Sequence, residues 1–334
     1  MSSYEYVVYD RKHLSAQDYS MKASRQFRIY DEKFCYSLQT AHGVWAGRRS
    51  IILREENDEG LVSYGEVAPT PGFSDCRLED LLPEARAWAK GRSQKNRPVF
   101  LSALSCLSSE IWHEFDDLKE PPVVSSGLDV LGTKVSSLTS KRKIGIDSPQ
   151  KEIDEIIGWI SSLPDRAKVR LDANGSLTLE SLKLWLNALE GESRLEFIEQ
   201  PLPISQFDQL KLLSHETSVV FALDETIVSA GGPEVVRQKG WEGYYVIKPS
   251  LIPDWTETIR FIKSEPEKSI VSTVFESPFG YEAVCRCASY SKAVAGLDRS
   301  IFEGNPREFT EHHIHPLIPK VVGICQLDQL WESL

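Results

Sequence analysis

Polar residues recur through the second half of the chain at nearly constant spacing. Lys143 is followed by Asp172 after 29 residues, Glu199 after a further 27, Asp224 after 25, Lys248 after 24 and Ser272 after 24. Most close a short, largely apolar run: Val169-Arg-Leu-Asp172, Phe197-Ile-Glu199, Ala222-Leu-Asp224 and Val246-Ile-Lys248. An unpaired charge at the end of such a run is costly, so three acids placed this way call for a cation. Hard oxygen donors in an open, partly hydrated site suit Mg²⁺, with Mn²⁺ as the alternative. The two lysines supply groups that can move a proton or stabilise a developing negative charge. Singly, each carboxylate reads more simply as a helix cap or a surface ion pair, and Lys248 as an interior salt bridge. It is the recurrence that points to a site.

A second signal precedes Lys143. In Ser140-Lys-Arg-Lys-Ile-Gly-Ile146 a strand places Lys141 and Lys143 on one face and Arg142 and Ile144 on the other. Two like charges on one face disfavour each other's protonation and pull a lysine toward the working range of a base. A solvated basic edge strand is the simpler reading of those residues alone. Asp224 and Glu225 are adjacent, and alternation after Ala222 turns Asp224 inward.

These residues need a scaffold. From about residue 122, apolar runs at 123–130, 141–146, 167–172, 195–200, 219–224, 244–248 and 270–275 alternate with amphipathic stretches such as 149–163 and 178–189. Repeated βα units imply a parallel sheet, and this many favour a closed barrel, whose strand C-termini meet at one mouth. No phosphate-binding glycine motif follows the first strand. Upstream, 4–9, a segment near Phe27 and 49–54 read as strands, and 57–60 as a hairpin turn. Residues 77–91 and 101–116 read as helices, and 40–47 and 64–74 as glycine- or proline-rich loops. The tail after about 305 reads as irregular, folding back on this N-terminal α+β unit. Its His312, His313 and His315 lack acid or thiol partners at ligand spacing and read as surface residues.

The totals narrow the partners. At 334 residues with 41% hydrophobic and 26% charged side chains, the chain reads as a globular protein of one large or two smaller domains. Its net charge of -11 argues against nucleic acid and anionic membrane. No apolar run reaches the roughly 20 residues of a membrane span, and the first residues lack signal-peptide character. The six cysteines have no zinc spacing and read as buried reduced thiols of a cytoplasmic protein. That leaves a small molecule as the expected partner.

The set Lys-x-Lys, Asp-Ala-Asn-Gly, Glu-Gln-Pro, Asp-Glu and Lys-Pro on successive strands resembles the enolase superfamily, in its muconate-lactonizing-enzyme-like branch with a lysine on each side of the barrel. Within that branch, 65–74, 101–107 and 272–277 are similar to segments of the o-succinylbenzoate synthases. The resemblance covers roughly 1–300 and is weakest in 10–30 and in the tail. It implies an α/β fold: a modified TIM barrel of (β/α)7β type over 116–304, an α+β capping domain over 1–115 and a tail, 305–334, against that cap. A lysine base paired with Mg²⁺ is the pattern of that superfamily, so the pairing comes with the resemblance. Implied next are Mg²⁺ on Asp172, Glu199 and Asp224, proton transfer by Lys143 and charge stabilisation by Lys248. Lys141 would help to hold the substrate carboxylate. Asn174 and Arg170 would give polar support, and Ser272, Thr273 and Ser277 would bind a second carboxylate under the loops 40–48 and 66–74. The implied reaction is loss of water from a hydroxylated, succinylated cyclohexadiene carboxylate on the route to menaquinone or phylloquinone. The lysine pair equally suits an N-succinylamino acid racemase, a dipeptide epimerase or a cycloisomerase. A non-catalytic barrel predicts a missing ligand or base, and none is missing.

Overall fold

The computed structural model describes residues 24–40, 43–92, 96–114, 127–128, 139–299, 301–302 and 323–334. The strand read at 4–9, His42 and the three tail histidines lie outside them.

Three antiparallel strands open the described chain: β1 (Ser24–Thr40), β2 (Gly43–Glu56) and β3 (Val62–Val67), in that order across the sheet. Period-two alternation gives β2 two apolar faces. Ile51 and Leu53 pack with Val67 against Leu81, in the turn before α1, and against α1 (Leu82–Ala89) and α2 (Pro98–Leu107) through Ala85, Trp88, Phe100 and Ala103. Ile52 and Tyr64 face the other way, toward Trp112, Phe279 and Trp331. Gly65 is required by the first contact, since a Cβ there would lie 2.3 Å from the Ala103 carbonyl oxygen. Two expectations change here. Most of the stretch read as a loop at 40–47 belongs to the hairpin of β1 and β2, and Tyr64, Gly65, Glu66 and Val67, read as the start of a loop, are the end of β3. Trp45 is not a bare loop residue, because it meets Phe34 and Phe275 edge-on at 5.2 and 5.8 Å.

A seven-stranded parallel sheet follows, each strand beside the last: β4 (Gly127–Leu128), β5 (Thr139–Lys143), β6 (Lys168–Asp172), β7 (Leu195–Glu199), β8 (Phe221–Leu223), β9 (Tyr244–Ile247) and β10 (Ser269–Val271). An eighth position is marked by Gly296, which bridges Ser272 in parallel. The helices between strands are α3 (Pro149–Ser162), α4 (Leu179–Leu189), α5 (Phe207–Ser214), α6 (Glu225–Ala230), α7 (Pro233–Gln238), α8 (Trp255–Ser264) and α9 (Pro278–Ala288). Sequential parallel neighbours curl the sheet into the modified TIM barrel expected. Among the described residues it forms an open arc, with no pairing recorded between β10 and β4.

Strand alternation separates the two faces of this sheet. Val169, Leu171, Ile198, Leu223, Ile247 and Val271 belong to the large core that includes Ile153, Ile156, Leu182 and Trp185 of the helices. Phe197, Ala222, Val246 and Ile270 form a separate inner cluster. Glu199, Asp224, Lys248 and Ser272 each lie two residues beyond a member of that inner set, so the polar residues crown the same face at the strands' C-terminal ends.

The tail ends in a helix, α10 (Ile324–Ser333), not in irregular chain. Leu327 and Trp331 share one face four residues apart and are buried. Asp328 accepts hydrogen bonds from Arg54 at 2.9 Å and from the Tyr64 hydroxyl, and the Arg28 guanidinium lies 4.6 Å from the Trp331 ring. Trp331→Ala is expected to cost about 3–5 kcal/mol of unfolding free energy, the usual range for a large aromatic removed from a core. Urea denaturation measures it, and a loss below about 1 kcal/mol would show that α10 is not part of that core.

Candidate active site

Asp172, Glu199 and Asp224 stand at the ends of three adjacent strands and are 3%, 1% and 0% exposed. Lys141 Nζ lies 2.9 Å from both Asp172 Oδ2 and Glu199 Oε1. Lys248 Nζ donates to Asp224 Oδ2, while Asp224 Oδ1 is buried with no hydrogen-bond partner among the described residues. Three acids against these two ammonium groups leave one negative charge.

The crowding disturbs protonation in opposite directions. Burial lowers the proton affinity of the Lys141 amine, but the charges of Asp172, Glu199 and Asp224 outweigh it and hold the amine charged well above the lysine range. Lys248 is raised likewise: burial opposes charge, and Asp224 and Glu225 override it. Burial pushes Glu199 up to about 7, reinforced by the charge of Asp172. Burial lifts Asp224 to about 6 against the pull of Lys248. Asp172 goes the other way: burial raises it, and Lys141 and Lys143 together bring it below the usual carboxylate range.

Lys143 is exposed at the mouth and donates to Asn174 Oδ1 at 2.8 Å. Lys141 and Lys143 both engage groups at the strand ends, as their alternation requires. Arg142 points outward, its guanidinium 5.4 Å from the Trp159 ring. Asn174 and Gln200 each follow an acid at a strand end, and both turn there with left-handed backbones, φ 45° and 37°. Gln200 Oε1 accepts from the backbone N–H groups of Asp224 and Thr226, at 3.2 and 3.1 Å, and so ties one strand end to the next.

Other expected residues sit differently. Arg170 is on the inner face but one step below the mouth. It forms a two-pronged ion pair with Glu196, at 2.8 and 3.1 Å, and is committed to the barrel floor. A register shift between Val169 and Arg170 accompanies that pairing. Thr273 Oγ1 donates to Glu276 at 2.5 Å and Ser277 Oγ to Glu66 Oε2 at 2.5 Å. Ser272 Oγ donates to the Gly296 carbonyl at 3.3 Å. Free hydroxyls for a second carboxylate are therefore not what these three present. The Ser277 contact joins a chain of contacts: Glu66 pairs with Arg48 at 3.2 Å, and Arg48 donates to Thr70 at 3.0 Å in the loop after β3. Phe73 of that loop has its ring centre 5.1 Å from Lys248 Nζ. Lys141 is engaged by the acids rather than standing clear to meet a substrate.

Sequence reasoning singles out none of Glu66, Arg48, Phe73 or Gln200, and it sets Glu225 aside in favour of Asp224. Gln200 and Glu225 lie inside the quoted motifs, and Glu66 and Phe73 inside the segment 65–74. The Glu66–Ser277 contact joins residues 211 apart and had no local signal.

Three acids on adjacent strands offer an all-oxygen donor set, and the orphaned Asp224 Oδ1 is the kind of buried acceptor a cation satisfies. Among the described residues no group of three His, Cys, Asp or Glu side chains is already closed into a metal cage. The Lys141 ammonium lies between Asp172 and Glu199 instead. The donor chemistry therefore fits a hard divalent cation, with Lys141 as the group in competition for those oxygens.

Comparison with known proteins shows the family and the fold. Residues 139–250 match a family model described as enolase C-terminal domain-like. The o-succinylbenzoate synthase of Thermosynechococcus vestitus is 31% identical over 282 residues, covering 78% of this chain and 86% of that protein. That of Klebsiella pneumoniae is 26% identical, covering 78% and 84%. Among solved structures, the o-succinylbenzoate synthase of Thermosynechococcus elongatus BP-1, complexed with Mg in its active site, superposes with a TM-score of 0.69 at 24% identity, covering 93% of this chain and 100% of that one. The L-Ala-D/L-Glu epimerase of Bacillus subtilis gives 0.72 at 15% identity, covering 91% and 98%. At those identities the two superpositions establish the fold.

Proposed function

The chain belongs to the o-succinylbenzoate synthase family, and from that membership we infer that it is a hydro-lyase converting 2-succinyl-6-hydroxy-2,4-cyclohexadiene-1-carboxylate to 2-succinylbenzoate. The observation that carries the reading is the meeting of Lys143, Lys248, Asp172, Glu199 and Asp224 at one end of the parallel sheet, in a chain 31% identical to a named synthase.

Asp172, Glu199 and Asp224 would hold Mg²⁺, or Mn²⁺ in its place. When bound, the ion supplies Lewis-acid neutralisation of the charge that develops on the substrate carboxylate. Lys143 Nζ removes the proton α to that carboxylate. The C–H electron pair moves onto the carboxylate as an enediolate; its collapse forms the ring double bond as the C–O bond to the hydroxyl breaks, and Lys143 returns the proton to the departing oxygen, giving water. One amine suffices if proton and hydroxyl leave from the same face. The Lys248 ammonium, beyond the three acid-bearing strands, faces the enediolate and stabilises it. Phe73 of the loop after β3 lies beside Lys248, and closure of that loop over bound substrate would keep water out. The product serves menaquinone or phylloquinone synthesis, in the cytoplasm. No helix among the described residues is long and apolar enough to cross a membrane.

Turnover of the cyclohexadiene acid beside a panel of N-succinylamino acids tests this reading. Dehydration is expected to exceed racemisation in kcat/KM. Racemisation without dehydration would assign Lys143 and Lys248 to opposite faces of an amino acid and overturn the proposal.

A further inference from the structure

We propose that Glu225 is a positioning residue for the Lys143 amine, acting through Asn174; this rests on the proton-transfer role given to Lys143 above. Glu225 Oε1 accepts from Asn174 Nδ2 at 3.0 Å, and Asn174 Oδ1 accepts from Lys143 Nζ at 2.8 Å. The backbone N–H of Asn174 donates to Asp172 Oδ1 at 3.1 Å, which fixes the turn that carries the amide.

The chemistry of the three groups gives the chain one direction. A carboxylate only accepts and an ammonium only donates, whereas a carboxamide does both. With Glu225 in place, Asn174 must turn its NH₂ toward the carboxylate and its oxygen toward Lys143. Without Glu225 the amide is free to flip, and the flipped form sets NH₂ against NH₃⁺. Among the described residues the Asn174 amide is the hydrogen-bond partner of the Glu225 side chain, whose Oε2 is buried and unpaired. Glu225 opens α6 directly after Asp224, so the turn that places one acid among the strand ends also places the other beside Asn174.

The positioning matters because Lys143 is exposed on a flexible stem and has up to about 2 kcal/mol of rotamer freedom to lose. A misplacement of about 1 Å at a reacting group can cost on the order of 10²-fold in rate.

Steady-state kinetics on the Mg²⁺-loaded enzyme tests this. Glu225→Ala is expected to lower kcat on the order of 10²-fold, with KM and Mg²⁺ affinity within about twofold of wild type. Glu225→Gln, an amide that donates as well as accepts and so no longer forces one orientation on Asn174, is expected to lower kcat by roughly threefold or more, short of the loss in Glu225→Ala. Asn174→Ala should lose as much as Glu225→Ala, and the double variant no more than either single, because the two act in series. A wild-type kcat in Glu225→Ala or in Glu225→Gln, or losses that multiply in the double variant, would each overturn the proposal. Should Glu225→Ala fail to fold, the isosteric Glu225→Gln decides it, since a kcat equal to wild type there overturns the proposal. The wild-type control separates the two readings: an enzyme that does not dehydrate the cyclohexadiene acid refutes the activity, and one that does so regardless of Glu225 refutes only the positioning.

Discussion

Lys143→Ala is expected to abolish dehydration, lowering kcat by about 10⁴-fold, while the protein folds and binds Mg²⁺ as before. General acid–base catalysis contributes roughly 10²–10⁴-fold, and here one amine serves both halves of the reaction, so the upper end applies. The site permits a clean test. Lys143 is exposed and its amine meets Asn174, not the three acids. Truncating it leaves no buried charge unpaired, in contrast to Lys141 or Lys248, whose loss would strip a counter-ion from buried carboxylates. Single-turnover kinetics beside thermal unfolding separates chemistry from folding. Retention of more than about a tenth of the wild-type rate would assign the base to another group.

Asp224→Asn is the second large effect. The change keeps the shape of the side chain and removes its charge from a residue that is 0% exposed. Mg²⁺ affinity should drop by at least about tenfold. Turnover at fixed Mg²⁺ should fall about 10³-fold, since Lewis-acid stabilisation is worth several kcal/mol and each 1.36 kcal/mol is tenfold in rate. Chelation of the wild type should produce the same loss, reversed by added Mg²⁺. Partial recovery of Asp224→Asn at high Mg²⁺ would fit a weakened site. Full activity in the chelated wild type would contradict a metal-dependent reaction.

The barrel and its crown were legible because their signal is periodic. Phe197 and Glu199, Ala222 and Asp224, Val246 and Lys248 each repeat the same step of two on successive strands, and that parity survives folding unchanged. What escaped was set by contacts between distant segments. Arg170 has the parity of Asp172, but a register shift against β7 accompanies its pairing with Glu196, and irregularities of that kind leave no mark in composition. Ser277 and Thr273 have the side chains of anion donors, yet the buried acids Glu66 and Glu276 claim their hydroxyls. The β1–β2 hairpin runs through residues that glycine content suggested were a loop, because Trp45 packs against Phe34 and Phe275. The helix at the C-terminus was legible in the helical spacing of Ile324, Leu327, Leu330 and Trp331, but at ten residues it is a short periodic signal, and a helix of that length owes its stability to the packing of its apolar face.

Titration calorimetry of Mg²⁺ into the wild type and into Asp224→Asn goes straight to the proposition that three strand-end acids form one cation site. One equivalent bound by the wild type, with markedly weaker binding in the variant, is the predicted result. Equal binding by both proteins, or none by the wild type, would contradict it.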